Sequence, residues 1–190
     1  INPATEEVIA TVPVATKEHL NSAVEAARNA LPSWSAKSLE ERSQLINNFA
    51  DKISEKKEEL AQLLTLEQWK PLNFARAELD MAVQWCRETA KYNLNSEVIE
   101  ETDQYIVEKT YAPVGVGAAI VPWNFPIVLT MFKAPAALLA GNTIIVKPSP
   151  YTPLSTLLLG ELAQQFFPPG VFNVLSGDDN LGPWITEHPN

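Results

Sequence analysis

A single cysteine, Cys86, excludes an internal disulfide and fits a reducing compartment. The two histidines, His19 and His188, stand alone, and nothing around them has the spacing of a metal-ligand set, so no metal site is expected. Positive charge is scarce: 14 basic residues face 23 acidic ones, a formal charge of -9. That argues against nucleic acid as a partner, because phosphate binding depends on lysine and arginine. Glycine is scarce too. The one close pair, Gly115 and Gly117, opens a strand, whereas a dinucleotide fingerprint needs its glycines after the strand, in the turn into a helix. No unbroken apolar run of spanning length exists. From Ala112 to Phe132 only Asn124 and Thr130 are clearly polar, but Pro113, Pro122 and Pro126, with Gly115 and Gly117, interrupt the stretch repeatedly. We read it as a buried strand-turn-helix and expect no membrane partner. No signal-peptide or transit pattern is present in these residues, so a cytoplasmic location is the expectation, with a true amino terminus upstream of Ile1 left open.

What is present is a globular composition, 46% hydrophobic over 190 residues, enough for one large domain or two small ones. After turn chemistry at Asn2-Pro3, the alternation of Val8, Ala10, Val12 and Val14 predicts a strand. Thr16 can cap a first helix with Leu20, Val24, Ala27 and Leu31 on one face, closed by Pro32. Ser38 and Glu41 form a capping box for the next helix, which carries Leu45, Ile46, Phe49 and Ile53. Leu60, Leu63 and Leu64 continue after a break near Ser54. Pro71 restarts the chain into a helix marked by Ala75, Leu79, Ala82, Val83, Cys86 and Ala90. Cys86 sits on that core spacing with Arg87 as its only adjacent positive charge, which makes it core filler rather than a nucleophile.

Residues 96–111 alternate in part and predict one or two antiparallel strands, whose edge pairs within the chain or against a partner subunit. From Pro113 the pattern becomes β-α-β-α-β. It has strands at 116–121, 143–147 and 171–175, a helix over 126–140 kinked at Pro135, and a helix capped by Thr152 that runs to about Phe167. Apolar strands alternating with helices are parallel strands covered on both faces. The expected fold is therefore α/β. Residues 1–95 form a helical amino-terminal region and 96–112 a small antiparallel segment suited to oligomerisation. Residues 113–190 form an incomplete parallel nucleotide-binding sheet with a raw edge after residue 175, completed by another polypeptide or by the rest of a longer protein.

In such a sheet the strand ends Pro122-Trp123-Asn124, Lys147-Pro148-Ser149 and Ser176-Gly177 share one edge, where open α/β sheets bind ligands. Asn124 is an uncharged amide between a strand end and a helix whose first residue is Pro126. Asparagine at such a turn also serves simply as a helix cap, and both roles stay open. Lys147 can hydrogen-bond ribose hydroxyls or pair with phosphate, or it can be a solvated lysine at a strand end.

PWNFP at 122–126, AGNTIIVKPS at 140–149, TPLS at 152–155, PPGVFNVLSG at 168–177 and EHP at 187–189 resemble the NAD(P)-dependent aldehyde dehydrogenase superfamily. NPATEEVIATVP at 2–13 and LTLEQWKPL at 64–72 are similar to its amino-terminal region, so the resemblance covers nearly the whole chain in order. It implies a Rossmann-like cofactor domain binding NAD or NADP, a small-molecule aldehyde as substrate, and a homo-oligomeric parent. It assigns oxyanion stabilisation to the side-chain amide of Asn124 and a supporting catalytic place to Lys133. Lys147 falls on the ribose-binding lysine, and Ile120, Val121, Pro122, Trp123, Ser149, Pro150 and Gly177 line the cofactor cleft. Phe125, Val128, Leu129 and Phe132 line the aldehyde tunnel, although each could equally be core.

Two positions depart from the resemblance. Pro150 stands where the family often has a ribose-binding glutamate, which removes a repulsion against a 2′-phosphate and makes NADP tolerable. Trp69 stands where glycine is usual and puts the local helix-helix turn in doubt. The family's catalytic cysteine and general-base glutamate lie downstream of these motifs. The chain therefore resembles an amino-terminal portion, expected to oxidise no aldehyde alone. The rival readings are a non-catalytic nucleotide-binding or assembly module derived from the same fold, and an acyl-phosphate- or CoA-dependent relative.

Overall fold

The computed structural model describes residues 1–189. Its first half is built from α1 (Lys17–Ser35), α2 (Leu39–Glu55), α3 (Lys57–Gln68) and α4 (Leu72–Thr89). The starts of α1 and α2 follow from their sequence. Thr16 Oγ1 accepts from His19 N–H, while Ser38 Oγ accepts from Glu41 N–H (3.1 Å) and Glu41 Oε2 accepts from Ser38 N–H (2.8 Å). The strand expected over residues 8–14 does not form. That segment lies largely exposed and is held at its end, where Ala15 N–H donates to Ser176 O (2.9 Å) and Ser176 Oγ to Pro13 O (2.6 Å). Alternating valines without a neighbouring strand to complete the ladder stay irregular.

Pro32 does not close α1 but sits inside it. The face continues to Trp34, not Leu31. Trp34 is 1% exposed, donates from its indole to Leu138 O at 3.2 Å and packs edge-on against Phe167 at 5.8 Å. Burying that ring outweighs the one backbone bond that proline removes.

Next come β1 (Glu97–Glu101) and β2 (Ile106–Lys109), an antiparallel hairpin with an irregularity between Val98 and Glu100. The pairing is thus within the chain, and every residue of both strands is exposed. The parallel sheet follows: β3 (Val116–Ile120), α5 (Pro126–Met131), α6 (Ala134–Leu139), β4 (Thr143–Lys147), α7 (Leu154–Ala163), β5 (Phe172–Val174) and α8 (Leu181–Thr186). Its order is β3-β4-β5, with Ile120 opposite Lys147 and Val146 opposite Val174. Both β3 and β5 are edge strands, so the expected raw edge at β5 has a counterpart at β3. β4 is buried throughout and alternates between two cores. Ile144 and Val146 face the main core, where Phe49 meets Phe167 and Phe172, while Ile145 faces a smaller one with Leu20, Val24 and Leu181.

The helix expected over 126–140 is two helices, and the break lies at Phe132-Lys133 rather than at Pro135. Pro135 has no N–H for the carbonyl of Met131, so the first helix stops short and α6 starts around the proline. Helix α7 also ends earlier than expected, at Ala163, and passes into turns closed by Phe166 and Phe167 N–H on Ala163 O. Among the described residues no helix is long and apolar enough to cross a membrane.

Trp69 ends α3 in the left-handed region, φ 58° and ψ 23°. This conformation favours glycine, which spares the Cβ clash. The side chain is 67% exposed, so little burial is lost by removing it. Trp69→Gly is expected to raise stability by about 0.5–1 kcal/mol, read as a higher urea midpoint at unchanged slope.

Candidate functional site

The turn after β3 carries Pro122, Trp123, Asn124 and Phe125, all exposed, while Val121 is buried with its N–H on Lys147 O at 2.9 Å. The cap of α5 is where sequence left two roles open for Asn124. The N-cap position is Phe125, with no side-chain cap of its own. The free amides of Ile127 and Val128 go instead to Glu78 Oε1 of α4, at 3.0 and 3.2 Å. Glu78 is fully buried and ion-paired with Lys70. Asn124 is therefore not the cap. Its backbone carbonyl accepts from Gln68 Nε2 (2.6 Å) and Lys70 Nζ (2.8 Å), and its exposed carboxamide makes no hydrogen bond among the described residues.

Lys147 is not a solvated lysine. It is 5% exposed, and its ammonium donates to Pro148 O at a long 3.3 Å. Burial pulls its pKa below the ordinary lysine value, opposed by the nearby charges of Asp179 and Asp178. The register places Lys147 directly opposite Ile120, so the ammonium and the Asn124 turn share the carboxyl edge of adjacent strands. Ser149 is buried and accepts from Tyr151 N–H (3.3 Å). Pro150 and Gly177 meet across a hollow of about 140 Å³, whose wall includes Val12, Ser176 and Asp178. A Cβ on Gly177 would come within 2.6 Å of Leu181, which accounts for glycine there.

The tunnel residues separate. Val128 is 3% exposed and packs in the core, one of the two roles left open for it, and Leu129 is half-buried against the same core. Phe132 packs tilted against Trp85, with ring centroids 4.3 Å apart. Phe125 lines an apolar hollow of about 480 Å³ with Trp69, Phe74, Met81 and Trp123. Lys133 is exposed and folds back onto Leu129 O at 3.3 Å, with no bond to Asn124. Thr152 does not cap α7. Glu67 does, accepting from Leu154 N–H (2.7 Å), Ser155 N–H (3.1 Å) and the Ser155 hydroxyl, while Thr152 Oγ1 reaches Trp123 O at 3.4 Å. Burial raises the Glu67 pKa, and those donors oppose the rise.

Sequence reasoning missed Gln68, Lys70, Glu67 and Glu78. A signal existed for the acids: Glu78 lies on the stripe of Ala75, Leu79 and Ala82, and Glu67 on that of Leu60 and Leu64. A carboxylate at a core spacing needs donors, and each finds them at a helix start. Cys86 is buried beside Met131, and its thiol is pushed up to about 12, so it is protonated at neutral pH. A hollow of about 690 Å³ lies between α1 and α8, remote in sequence from the turn of Asn124 and mixed in charge.

The model of the Aldehyde dehydrogenase family matches residues 1–190. The chain belongs to the aldehyde dehydrogenase family. Aldehyde dehydrogenase LUC3 of a Fusarium species is 42% identical over 189 residues, covering 100% of this chain and 40% of that protein. Aldehyde dehydrogenase from Bacillus cereus, solved as its NAD+ complex, superposes with a TM-score of 0.94 at 39% identity, over 98% of this chain and 40% of that one. Glyceraldehyde-3-phosphate dehydrogenase GapN from Methanocaldococcus jannaschii, complexed with NADP, gives 0.95 at 31% identity, over 100% and 43%. The chain thus spans about two-fifths of the length of these family members.

Proposed function

We propose that this chain is the amino-terminal part of an NAD(P)-dependent aldehyde dehydrogenase and supplies its oxyanion donor and part of its cofactor cleft. The observation that carries the reading is the cap of α5: Glu78 satisfies the amides that an asparagine cap would take. That leaves the Asn124 carboxamide uncommitted at the sheet edge, one strand away from the buried Lys147 ammonium.

In the whole protein a thiol outside this sequence attacks the aldehyde carbon, since Cys86 is buried and protonated. Negative charge collects on the former carbonyl oxygen, and the Asn124 N–H donates to it. Being neutral and fixed in advance, that amide favours the charge as it develops. Bound NAD(P) supplies the hydride acceptor. Lys147 suits that group: a nearly buried ammonium with one long bond gains from a ribose hydroxyl. Pro150 and Gly177 leave room beside it, and NADP is accepted alongside NAD. The apolar wall of Trp69, Phe74, Met81 and Phe125 takes the aldehyde's carbon chain. The exposed hairpin β1-β2 contacts a second subunit, because a two-stranded ribbon with apolar residues bare on it is marginal alone. Domain boundaries at 95 and 112 and a cytoplasmic location belong to the same proposal, with residue 190 outside the described residues.

Lys147→Met tests it. The KM for NAD(P) should rise about 10–100-fold, the equivalent of one charge-assisted bond of about 1.5–3 kcal/mol, with the fold intact by circular dichroism. An unchanged KM for both NAD and NADP rejects the cofactor assignment.

A further inference from the structure

We infer that Gln68 and Lys70 are positioning residues for Asn124, a clamp that fixes the turn by its backbone so that the side chain above stays free; this rests on the function proposed for Asn124. Gln68 Nε2 donates to two successive carbonyls, Trp123 O at 2.7 Å and Asn124 O at 2.6 Å. Lys70 Nζ reaches the same Asn124 O at 2.8 Å, lies 3.9 Å from the Phe125 ring centroid and pairs with Glu78, which holds the next two free amides of the turn. Left-handed backbone at Trp69 separates the two donors, so residues that flank it converge on one carbonyl.

The network is specialised rather than incidental packing. Gln68 Oε1 is buried without a partner among the described residues, a state that commonly costs about 1–3 kcal/mol. The amide cannot be turned to relieve it, because both of its contacts are to carbonyl oxygens and require the N–H end. A side chain kept at such a penalty is retained for what its donors hold. They hold a turn some 55 residues away whose projecting group needs a fixed direction.

The test is a double-mutant cycle read in kcat of the whole protein. Gln68→Met strands no charge and removes the unpaired oxygen, so it should fold at least as well as the native protein. We expect it to lower kcat about tenfold at unchanged KM for NAD(P), and to lower it no further when Asn124 is already alanine. Lys70→Arg should keep native kcat and Lys70→Met should lose it; if Lys70→Met does not fold, the Gln68 cycle decides. Native kcat in Gln68→Met, or the same loss in both backgrounds, overturns the clamp. An Asn124→Ala protein with native kcat overturns instead the role of Asn124 itself, so the two failures are distinguishable.

Discussion

Asn124→Ala lowers kcat of the whole protein by about 10²–10³-fold, with little change in aldehyde KM. The size follows from removing one preorganised donor, about 2.7–4 kcal/mol of transition-state stabilisation. The split follows from timing. Under the proposed function the carboxamide meets a full negative charge only after the thiol has added, so its contribution should be larger in the transition state than in the bound aldehyde. Stability should barely move, because the side chain is exposed and makes no hydrogen bond among the described residues. Had Asn124 been the cap of α5, alanine would have lost about 1 kcal/mol of stability and left kcat alone. Rate and urea midpoint measured together separate the two roles.

Glu78→Ala has the largest expected effect on the fold, a loss of about 3–5 kcal/mol. The carboxylate has no exposed surface and serves three donors: Ile127 N–H, Val128 N–H and the Lys70 ammonium. Alanine orphans two buried amides and leaves a largely buried charge unpaired. Glu78→Gln keeps an acceptor for the amides but loses the ion pair, so it should fall between native and alanine. Adding Lys70→Met to Glu78→Ala should recover part of the loss, because no unpaired charge remains. Urea denaturation of the four proteins checks the order. Equal midpoints for Glu78→Ala and the native chain would show that the buried pair is not a structural element.

What could be read from the sequence was local. The Ser38–Glu41 box, the buried stripe of α4 and the span of β4 each depend on residues within a few positions of one another. The place of Asn124 and Lys147 on one edge was legible too, because parallel strands put their carboxyl ends together. Non-local competition decided the rest. Pro32 lies inside α1 because Trp34 has a pocket to fill between α6 and Phe167 in the turns after α7. Thr152 lost its cap to Glu67, a residue far back in the chain. Val8–Val14 had strand alternation but no ladder to join. The clamp on Asn124 was illegible for the same reason: Gln68 and Lys70 read as ordinary surface residues until folding brings them to the turn.

The most direct measurement is a crystal structure of the whole protein with NAD(P) and a bound aldehyde adduct. It should place Asn124 Nδ2 within hydrogen-bond distance of the adduct's oxygen and Lys147 Nζ on a ribose hydroxyl, with Glu78 still on the amides of Ile127 and Val128. An Asn124 amide turned back to cap α5, or a Lys147 ammonium packed away from the dinucleotide, would contradict this.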